Sequence, residues 1–211
     1  MQTFSESRFL QTPVVGILRG YTQAEVLQIA EIYQGAGFTN IEITMNTPNA
    51  LAIIERLAEQ YAGKLNVGAG TVLTIEVVDA VLVAGGQFIV SPVTDVDLIR
   101  YCTSKNIPVF PGAYTPTEIY QAWQAGARMV KVFPARDLGP TYIKDVLAPL
   151  DQLELMPTGG VTLENLEAYL EAGAKAFGMG GYLFDQALIE QENWEALRQH
   201  FDVFRKATIR S

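Results

Sequence analysis

Histidine and cysteine are the residues that this sequence has least of, since its 211 residues contain one of each, His200 and Cys102. A single cysteine excludes an internal disulfide and fits a reducing compartment. One histidine, in a helix-like tail that carries Trp, Leu and Phe, excludes zinc sites of the usual His/Cys kind and leaves Ser-His-Asp and Cys-His catalysis without support. Catalytic chemistry is therefore expected from Lys, Arg, Glu, Asp, Thr and Tyr.

Clusters of basic residues and long apolar runs are also missing. The formal net charge is −8 at pH 7, and no run of Lys or Arg predicts a nucleic-acid partner. No apolar stretch is long enough to span a bilayer, and the first residues lack the basic segment and apolar run of a signal peptide. We therefore expect a cytoplasmic protein without nucleic-acid or membrane partners.

Apolar residues, by contrast, are abundant. Hydrophobic residues make up 49% and charged residues 18% of the chain, which suffices for a full core and argues against disorder. The length suits one large domain or two small ones, and no linker or low-complexity run divides it. Residues 1–211 are therefore predicted to form a single domain.

The chain repeats a pattern in which a short β-branched run is followed by a helix that opens on a cap. Predicted caps at residues 22, 47, 74, 94, 115, 139 and 162 are about 20–27 residues apart, which is one βα unit each time. The predicted strands span residues 14–18, 40–44, 65–69, 87–90, 107–110, 128–134, 153–156 and 175–178. Eight such units predict a parallel (β/α)8 TIM barrel, with a short N-terminal helix over residues 5–10 and a last helix over residues 193–205. An open doubly wound sheet is the alternative, although no G-x-G-x-x-G follows the first strand.

A lysine, Lys131, lies inside the sixth predicted strand. A buried ammonium is costly unless it is paired or used, and burial lowers the pKa of a lysine. The result is a neutral amine that can attack a carbonyl group. The alternative is a lysine that extends from the strand end to water. The other lysines lie in turns, in helices or at the start of a strand, so Lys131 is the candidate nucleophile.

Strand alternation predicts which side chains join Lys131 on the inner face. If Val130 and Val132 face the helices, Lys131 points inward, and the same reasoning turns Glu42 inward on the second strand. Arg19, at the end of the first strand, is predicted to reach the same mouth, where the active sites of TIM barrels lie. The alternatives are a structural salt bridge for Glu42 and a solvated rim charge for Arg19.

Thr71 follows the third predicted strand. It is in register with Val67 and Ala69, and this register predicts that its side chain also points into the mouth. Taken alone, the threonine is equally compatible with a turn.

Two glycine clusters follow the seventh and eighth predicted strands. They read Thr158-Gly159-Gly160 and Gly178-Met179-Gly180-Gly181. TIM barrels often bind phosphate at these two loops, with backbone N–H groups directed at the anion. Tight turns that require positive φ angles are the alternative explanation.

Together these groups predict a metal-independent, Schiff-base aldolase acting on a phosphorylated 2-keto acid. A neutral lysine forms an imine, a carboxylate moves protons, an arginine holds the substrate carboxylate and the glycine loops hold the phosphate. No motif requires a metal or an added cofactor. Two other classes remain open, namely a non-catalytic barrel that binds a phosphorylated metabolite, and an isomerase or epimerase that works without an imine.

The motifs resemble those of the 2-keto-3-deoxy-6-phosphogluconate/4-hydroxy-2-oxoglutarate (KDPG/KHG) aldolase family. They are Ile41-Glu42-Ile43-Thr44, Gly68-Ala69-Gly70-Thr71-Val72, Ile89-Val90-Ser91-Pro92, Lys131-Val132-Phe133-Pro134 and Pro157-Thr158-Gly159-Gly160-Val161. The resemblance covers nearly the whole chain. It implies a class I aldolase, usually a homotrimer, that releases pyruvate together with glyceraldehyde 3-phosphate or, from 4-hydroxy-2-oxoglutarate, glyoxylate.

The resemblance also implies a role for individual residues. Lys131 is expected to form the imine and Glu42 to be the acid/base. Thr71 is expected near the pyruvyl carboxylate, and Pro92 is expected to line the pocket. The expected phosphate-binding residues are Gly159, Gly160, Gly180 and Gly181.

Two positions depart from the family pattern. Many members carry an arginine where this chain has Asn46, whereas Ile17-Leu18-Arg19-Gly20 resembles the phosphogalactonate branch, in which the arginine comes from the first strand. We therefore assign the carboxylate-binding role to Arg19 as a hypothesis. The serine that often follows the last glycine pair is replaced by Tyr182, so the sequence leaves the aldehyde half of the substrate open.

Overall fold

Helices and strands alternate along the whole of the described chain. The computed structural model describes residues 3–209, so residues 1–2 and 210–211 of the predicted 1–211 domain lie outside the described residues. The strands are β1 (Val14–Leu18), β2 (Asn40–Thr44), β3 (Asn66–Gly70), β4 (Phe88–Val90), β5 (Val109–Phe110), β6 (Gly112–Ala113), β7 (Val130–Val132), β8 (Leu155–Pro157) and β9 (Phe177–Met179). The helices are α1 (Glu6–Gln11), α2 (Gln23–Gly35), α3 (Ala50–Gln60), α4 (Ile75–Val83), α5 (Val96–Ser104), α6 (Pro116–Gln124), α7 (Gly139–Leu147), α8 (Leu163–Glu171), α9 (Gln186–Glu190) and α10 (Trp194–Thr208).

The strand pairings between these elements are all parallel. Six strands form one sheet in the order β5-β4-β3-β2-β1-β9, and three form a second sheet in the order β6-β7-β8. A parallel bridge between Thr158 and Gly178 joins the end of β8 to β9. The predicted parallel βα order is confirmed, whereas the hydrogen bonding divides the strands between two sheets.

The predicted fifth strand, residues 107–110, corresponds to β5, and beyond Pro111 the chain forms a second short strand, β6, that was not predicted. Proline has no N–H to donate to a ladder, so it interrupts a strand. The two pieces pair on opposite sides, β5 with β4 and β6 with β7. The carbonyl of Pro111 still accepts from the N–H of Lys131 at 2.9 Å, which ties the lysine strand to this break.

Most of the predicted helix starts are confirmed. The capping boxes at Thr22 and Thr115 are complete, since each hydroxyl accepts from the N–H of the glutamate three residues on and each glutamate accepts from the threonine N–H. Such a cap typically stabilises a helix by about 1 kcal/mol. The predicted N-terminal and last helices are present as α1 and α10, while α9 was not predicted.

Three of the predicted caps, at Thr47, Thr94 and Gly139, are wrong. Gly139 is the first residue of α7, and its N-cap is Leu138. The hydroxyl of Thr47 accepts instead from the N–H of Gly20 at 3.0 Å, and α3 starts after Asn49. The hydroxyl of Thr94 donates to the carbonyl of the neighbouring strand β6, and Asp95 caps α5. Each of these two threonines bonds to a neighbouring segment of the chain. A polar residue that follows it, Asn49 or Asp95, therefore takes the N-cap position.

A small apolar cluster packs on the inner faces of both sheets. Side chains from β1, β4, β5 and β8 meet there with Phe9 of α1 and with Phe4. The larger cluster lies between the sheets and the outer helices and includes Val130, Val132, Ile41 and Ile43, as alternation predicted. Because Phe4 and Phe9 fill the N-terminal end of the inner space, the free space lies at the C-terminal ends of the strands.

Candidate active site

A cavity of about 540 Å³ opens at the C-terminal ends of the strands. Eight of the ten site residues predicted from the sequence line it. These are Arg19, Glu42, Lys131, Thr158, Gly159, Gly160, Gly180 and Gly181. The strand ends therefore bring together residues that are up to about 160 positions apart in the sequence.

Lys131 lies on the inner face of β7 and is 6% exposed. Its amine is 4.7 Å from the centroid of the Phe133 ring, and within residues 3–209 it forms no ion pair within 4.0 Å. Burial lowers the pKa of Lys131, the charge of Glu42 opposes this shift and the charge of Arg19 adds to it. These surroundings favour the neutral amine, which is the nucleophilic form.

Glu42 is the acidic residue of the cavity and is 2% exposed. Burial raises its pKa to about 7, although the positive charges of Lys131 and Arg19 pull it down. Its Oε2 atom is buried and has no hydrogen-bond partner among the described residues. A carboxyl group that titrates near neutral pH and keeps one free oxygen is suited to accept and return protons.

Gly70, at the end of β3, provides the space in which the Glu42 carboxyl group lies. A β-carbon at position 70 would lie 2.7 Å from Glu42 Cδ and closer still to Oε1. Glu42 of β2 and Gly68 of β3 are paired in register, so the carboxyl group leans along the sheet towards the next inward position, which is Gly70. The absence of a side chain there is a condition for this orientation.

Arg19 follows β1 and lines the cavity on the side of Glu42. Its side chain is exposed, as is Asn46, but Asn46 is not among the lining residues. The arrangement therefore leaves Arg19, and not position 46, beside Lys131 and Glu42.

Thr71 and Pro92 do not line the cavity, and the predicted register of strand three is wrong. Val67 and Ala69 pack in the outer cluster, so the inward positions of β3 are its glycines, which leave room for Phe88 and for the carboxyl group of Glu42. Thr71 itself has a φ of 59°, and this left-handed residue ends the alternation. Because the inward residues of β3 are glycines, the sequence pattern led to Val67 and Ala69 being assigned to the inner face, although they face outward.

The glycine loops form the other wall of the cavity. Gly159 and Gly160 have φ angles of 84° and 86°, so tight turns explain part of this signal. The N–H groups of these two glycines have no acceptor among the described residues. A β-carbon on Gly178 would lie 2.9 Å from Thr158 Cγ2, so this glycine lets β8 and β9 approach each other beneath the loops.

The second glycine loop is held from outside the cavity by the one histidine. His200 of α10 donates through Nε2 to the backbone carbonyl of Tyr182 at 2.9 Å. The Tyr182 side chain is 52% exposed at the cavity rim. His200 therefore supports a loop of the site from behind and is not one of the residues that line it.

Sequence reasoning missed several residues that line the cavity. They include Tyr21, Phe133, Arg136 and Gln186. Phe133 could have been found, since it is two positions after Lys131 and shares its face by alternation. Arg136 lies on the loop after β7, at the end where sites form. Tyr21 and Gln186 carry no comparable local signal.

Two further properties of residues 3–209 concern membrane-spanning helices and metal-binding clusters. No helix in this part of the chain is both long and apolar enough to cross a membrane. No three His, Cys, Asp or Glu side chains in it are grouped so that they could hold a metal ion.

Comparisons with known proteins identify close relatives. The family model described as "Aldolase: KDPG and KHG aldolase" matches residues 5–200. The chain is 39% identical over 173 residues to the 2-dehydro-3-deoxy-6-phosphogalactonate aldolase of Escherichia coli (strain K12), covering 82% of this chain and 84% of that protein. It is similar to the solved "Native KDPGal structure", with a TM-score of 0.87 at 36% identity over 98% of this chain and 97% of that chain. A KDPG aldolase from Legionella pneumophila, with pyruvate captured as a covalent carbinolamine intermediate, has a TM-score of 0.84 at 27% identity over 93% and 95% of the two chains.

Proposed function

The chain belongs to the KDPG and KHG aldolase family, and we propose that it cleaves a 2-keto-3-deoxy-6-phospho sugar acid to pyruvate and glyceraldehyde 3-phosphate. It is a carbon–carbon lyase of the class I type, which forms a Schiff base with pyruvate. The observation that carries the proposal is the buried pair at the base of the cavity. Burial lowers the pKa of Lys131, which favours the neutral amine, and raises the pKa of Glu42 to about 7, so that this carboxyl group can exchange protons near neutral pH.

In the proposed first half of the reaction, the neutral amine of Lys131 attacks the C2 carbonyl of the substrate. The carbinolamine loses its hydroxyl group as water when Glu42 donates a proton, and a protonated imine remains. The Phe133 ring, 4.7 Å from the amine, stabilises positive charge on this nitrogen through its face.

In the second half, the imine accepts the electron pair of the C3–C4 bond. Glu42, now a carboxylate, takes the proton of the C4 hydroxyl group, so that C4 becomes the aldehyde carbon and C3 becomes part of an enamine. Protonation of C3 and addition of water then release pyruvate and restore the amine of Lys131. Each of these proton transfers suits a carboxyl group with a pKa of about 7.

Arg19 is proposed to hold the C1 carboxylate of the substrate, because it is the cavity arginine beside the reacting pair. An arginine binds a carboxylate through two parallel hydrogen bonds. Thr71 and Pro92 are not among the lining residues, so we propose no direct substrate contact for them. Since the arginine comes from strand one and position 46 lies outside the cavity lining, we favour the galactonate configuration of the substrate over the gluconate one. Comparing kcat/KM for the two C4 epimers tests this preference.

We further propose that the two sheets act as one closed eight-stranded barrel. The Thr158–Gly178 bridge and the hydrogen bond from the N–H of Lys175 to the carbonyl of Leu155 at 3.0 Å support closure between β8 and β9. On the other side, the N–H of Arg128 donates to the carbonyl of Val109 at 2.9 Å. Slow amide hydrogen exchange at both seams is expected.

A homotrimer is also proposed, and a cytoplasmic location is consistent with the single buried cysteine. Three apolar side chains on loops at the cavity end of the strands support an interface there. Leu73, Val93 and Tyr114 are 51%, 49% and 43% exposed. A molar mass measured by light scattering that equals one chain would contradict the trimer.

Borohydride trapping with pyruvate tests the proposed mechanism. Reduction of the imine is expected to leave a stable adduct on Lys131, which intact mass and peptide mapping identify, and the Lys131→Met variant should give none. A folded protein that forms no adduct would contradict the imine and favour the isomerase or binding-protein alternatives. Lys175, which is exposed and lies two residues before β9, provides the matched control, because Lys175→Met should still be trapped.

A further inference from the structure

The active-site cavity carries an excess of positive charge. Its lining contains two arginines, Arg19 and Arg136, and one carboxyl group, Glu42, besides the amine of Lys131, although the whole chain has a net charge of −8. Positively charged side chains that lie in one cavity attract anions, and their mutual repulsion destabilises the fold when no anion is bound. A substrate with two anionic ends matches this excess, and Arg19 is already proposed to bind the carboxylate at the inner end.

Arg136 supplies the positive charge on the side of the glycine loops. The preceding residue, Ala135, donates from its N–H to the carbonyl of Thr158 at 2.9 Å, and its own carbonyl accepts from the hydroxyl of Tyr169 at 3.1 Å. These bonds tie the loop after β7 to the end of β8 and to α8. The backbone at Arg136 is therefore held beside the turn that follows β8.

Gly160 lies in direct contact with Arg136. A β-carbon at position 160 would lie 2.7 Å from Arg136 Cβ, so the close approach of the two loops depends on this glycine. The unused N–H groups of Gly159 and Gly160 are thereby brought to the same side of the cavity as the arginine. Free backbone donors next to a guanidinium group form a concave site for an anion.

The guanidinium group of Arg136 has no partner of its own among residues 3–209. It is exposed and forms no ion pair within 4.0 Å with a described carboxylate, whereas Arg128, at the opposite end of the strands, is paired with both Glu6 and Glu154. We propose that Arg136 binds the phosphate group of the substrate and sets the preference for phosphorylated over phosphate-free 2-keto acids. This inference deepens the proposed aldolase function and rests on it.

Two measurements on Arg136→Gln test the proposal. Loss of one charge-assisted hydrogen-bonding group is expected to lower kcat/KM for the phosphorylated substrate by about 10- to 100-fold. The loss for the same 2-keto-3-deoxy sugar acid without phosphate should be at least about tenfold smaller. Arg136→Lys, which keeps the charge but not the bidentate geometry, should recover part of the activity.

Binding of inorganic phosphate, measured by calorimetry, tests the site without turnover. Arg136→Gln should weaken it by about tenfold or more, while Arg100→Gln, which changes an exposed arginine on α5, should leave it unchanged. Equal phosphate affinity in the Arg136→Gln variant and the unaltered protein, or equal losses for the two sugar acids, would overturn the proposal. Pyruvate trapping on each variant reports on the aldolase function separately, so failure of the imine chemistry is distinguishable from failure of the phosphate site.

Discussion

Replacing Glu42 by glutamine should lower activity and, above neutral pH, raise stability. As the proposed acid/base, Glu42 is expected to contribute about 10²- to 10⁴-fold to turnover. Its burial also has an energetic consequence, since the pKa of the folded protein is about 7 against a usual value of 4.5. Between these two values the folded state binds more protons than the unfolded state, so the stability of the unaltered protein falls as pH rises through this window.

The size of this effect follows from the difference of about 2.5 pKa units between those two values. At about 1.4 kcal/mol per unit, the ionised carboxylate destabilises the fold by about 3 kcal/mol above pH 7, and this penalty is absent below about pH 4.5. Glutamine has the same shape and does not ionise, so Glu42→Gln should lose this part of the pH dependence. The effect should be larger in a Lys131→Met background, because Lys131 lowers the pKa of Glu42.

Urea unfolding at pH 5 and pH 8 measures the difference. The free energy of unfolding of Glu42→Gln, relative to that of the unaltered protein, should be larger at pH 8 than at pH 5 by about 2–3 kcal/mol. Turnover is followed in parallel through pyruvate formation. Full activity of the variant would exclude Glu42 as the proton carrier. An equal stability difference at both pH values would exclude a raised pKa for its buried carboxyl group.

Two further outcomes follow from the same pair. The kcat/KM of the unaltered enzyme should fall as pH rises above about 7, because Glu42 then loses the proton that it donates to the carbinolamine; a pH–rate profile that is flat through this range would refute the assignment of Glu42 as the acid. Gly70→Ala should displace the Glu42 carboxyl group and lower turnover by about 10²-fold, with a loss of stability of about 1–3 kcal/mol, whereas Gly35→Ala, where a β-carbon has nothing within 4 Å, is the control that should keep normal turnover.

The sequence predicted those parts of the fold that depend on residues close together in the chain. Capping boxes at Thr22 and Thr115 and the glycines after the helices depend on residues three or four positions apart, and they marked the βα units correctly. Thr47 and Thr94 were misassigned because their hydroxyl groups bond to other loops. Such long-range partners leave no trace in the neighbouring sequence.

The sequence predicted the inward-facing residues of the site correctly on strands whose side chains alternate strictly between the inner and outer faces. Alternation placed Lys131 and Glu42 on the inner face because the apolar residues beside them fill the outer one. On β3 the rule failed, since the inward positions are glycines and the small apolar residues between them look like the inner face. Arg136 was missed because a loop has no period from which a direction can be inferred.

By itself, the sequence determined the order of the elements and the parallel arrangement and pointed to Lys131 and Glu42 as the proposed reactive pair, because these follow from periodicity, capping and the cost of burying charge. Only the tertiary structure decided how Lys131 and Glu42 share one cavity, that Gly70 makes room for the carboxyl group and that Arg136 reaches the glycine turn. Each of these depends on atoms of different strands approaching within a few ångströms. Burial, and with it the pKa of about 7 for Glu42, is a property of that approach and not of any local segment.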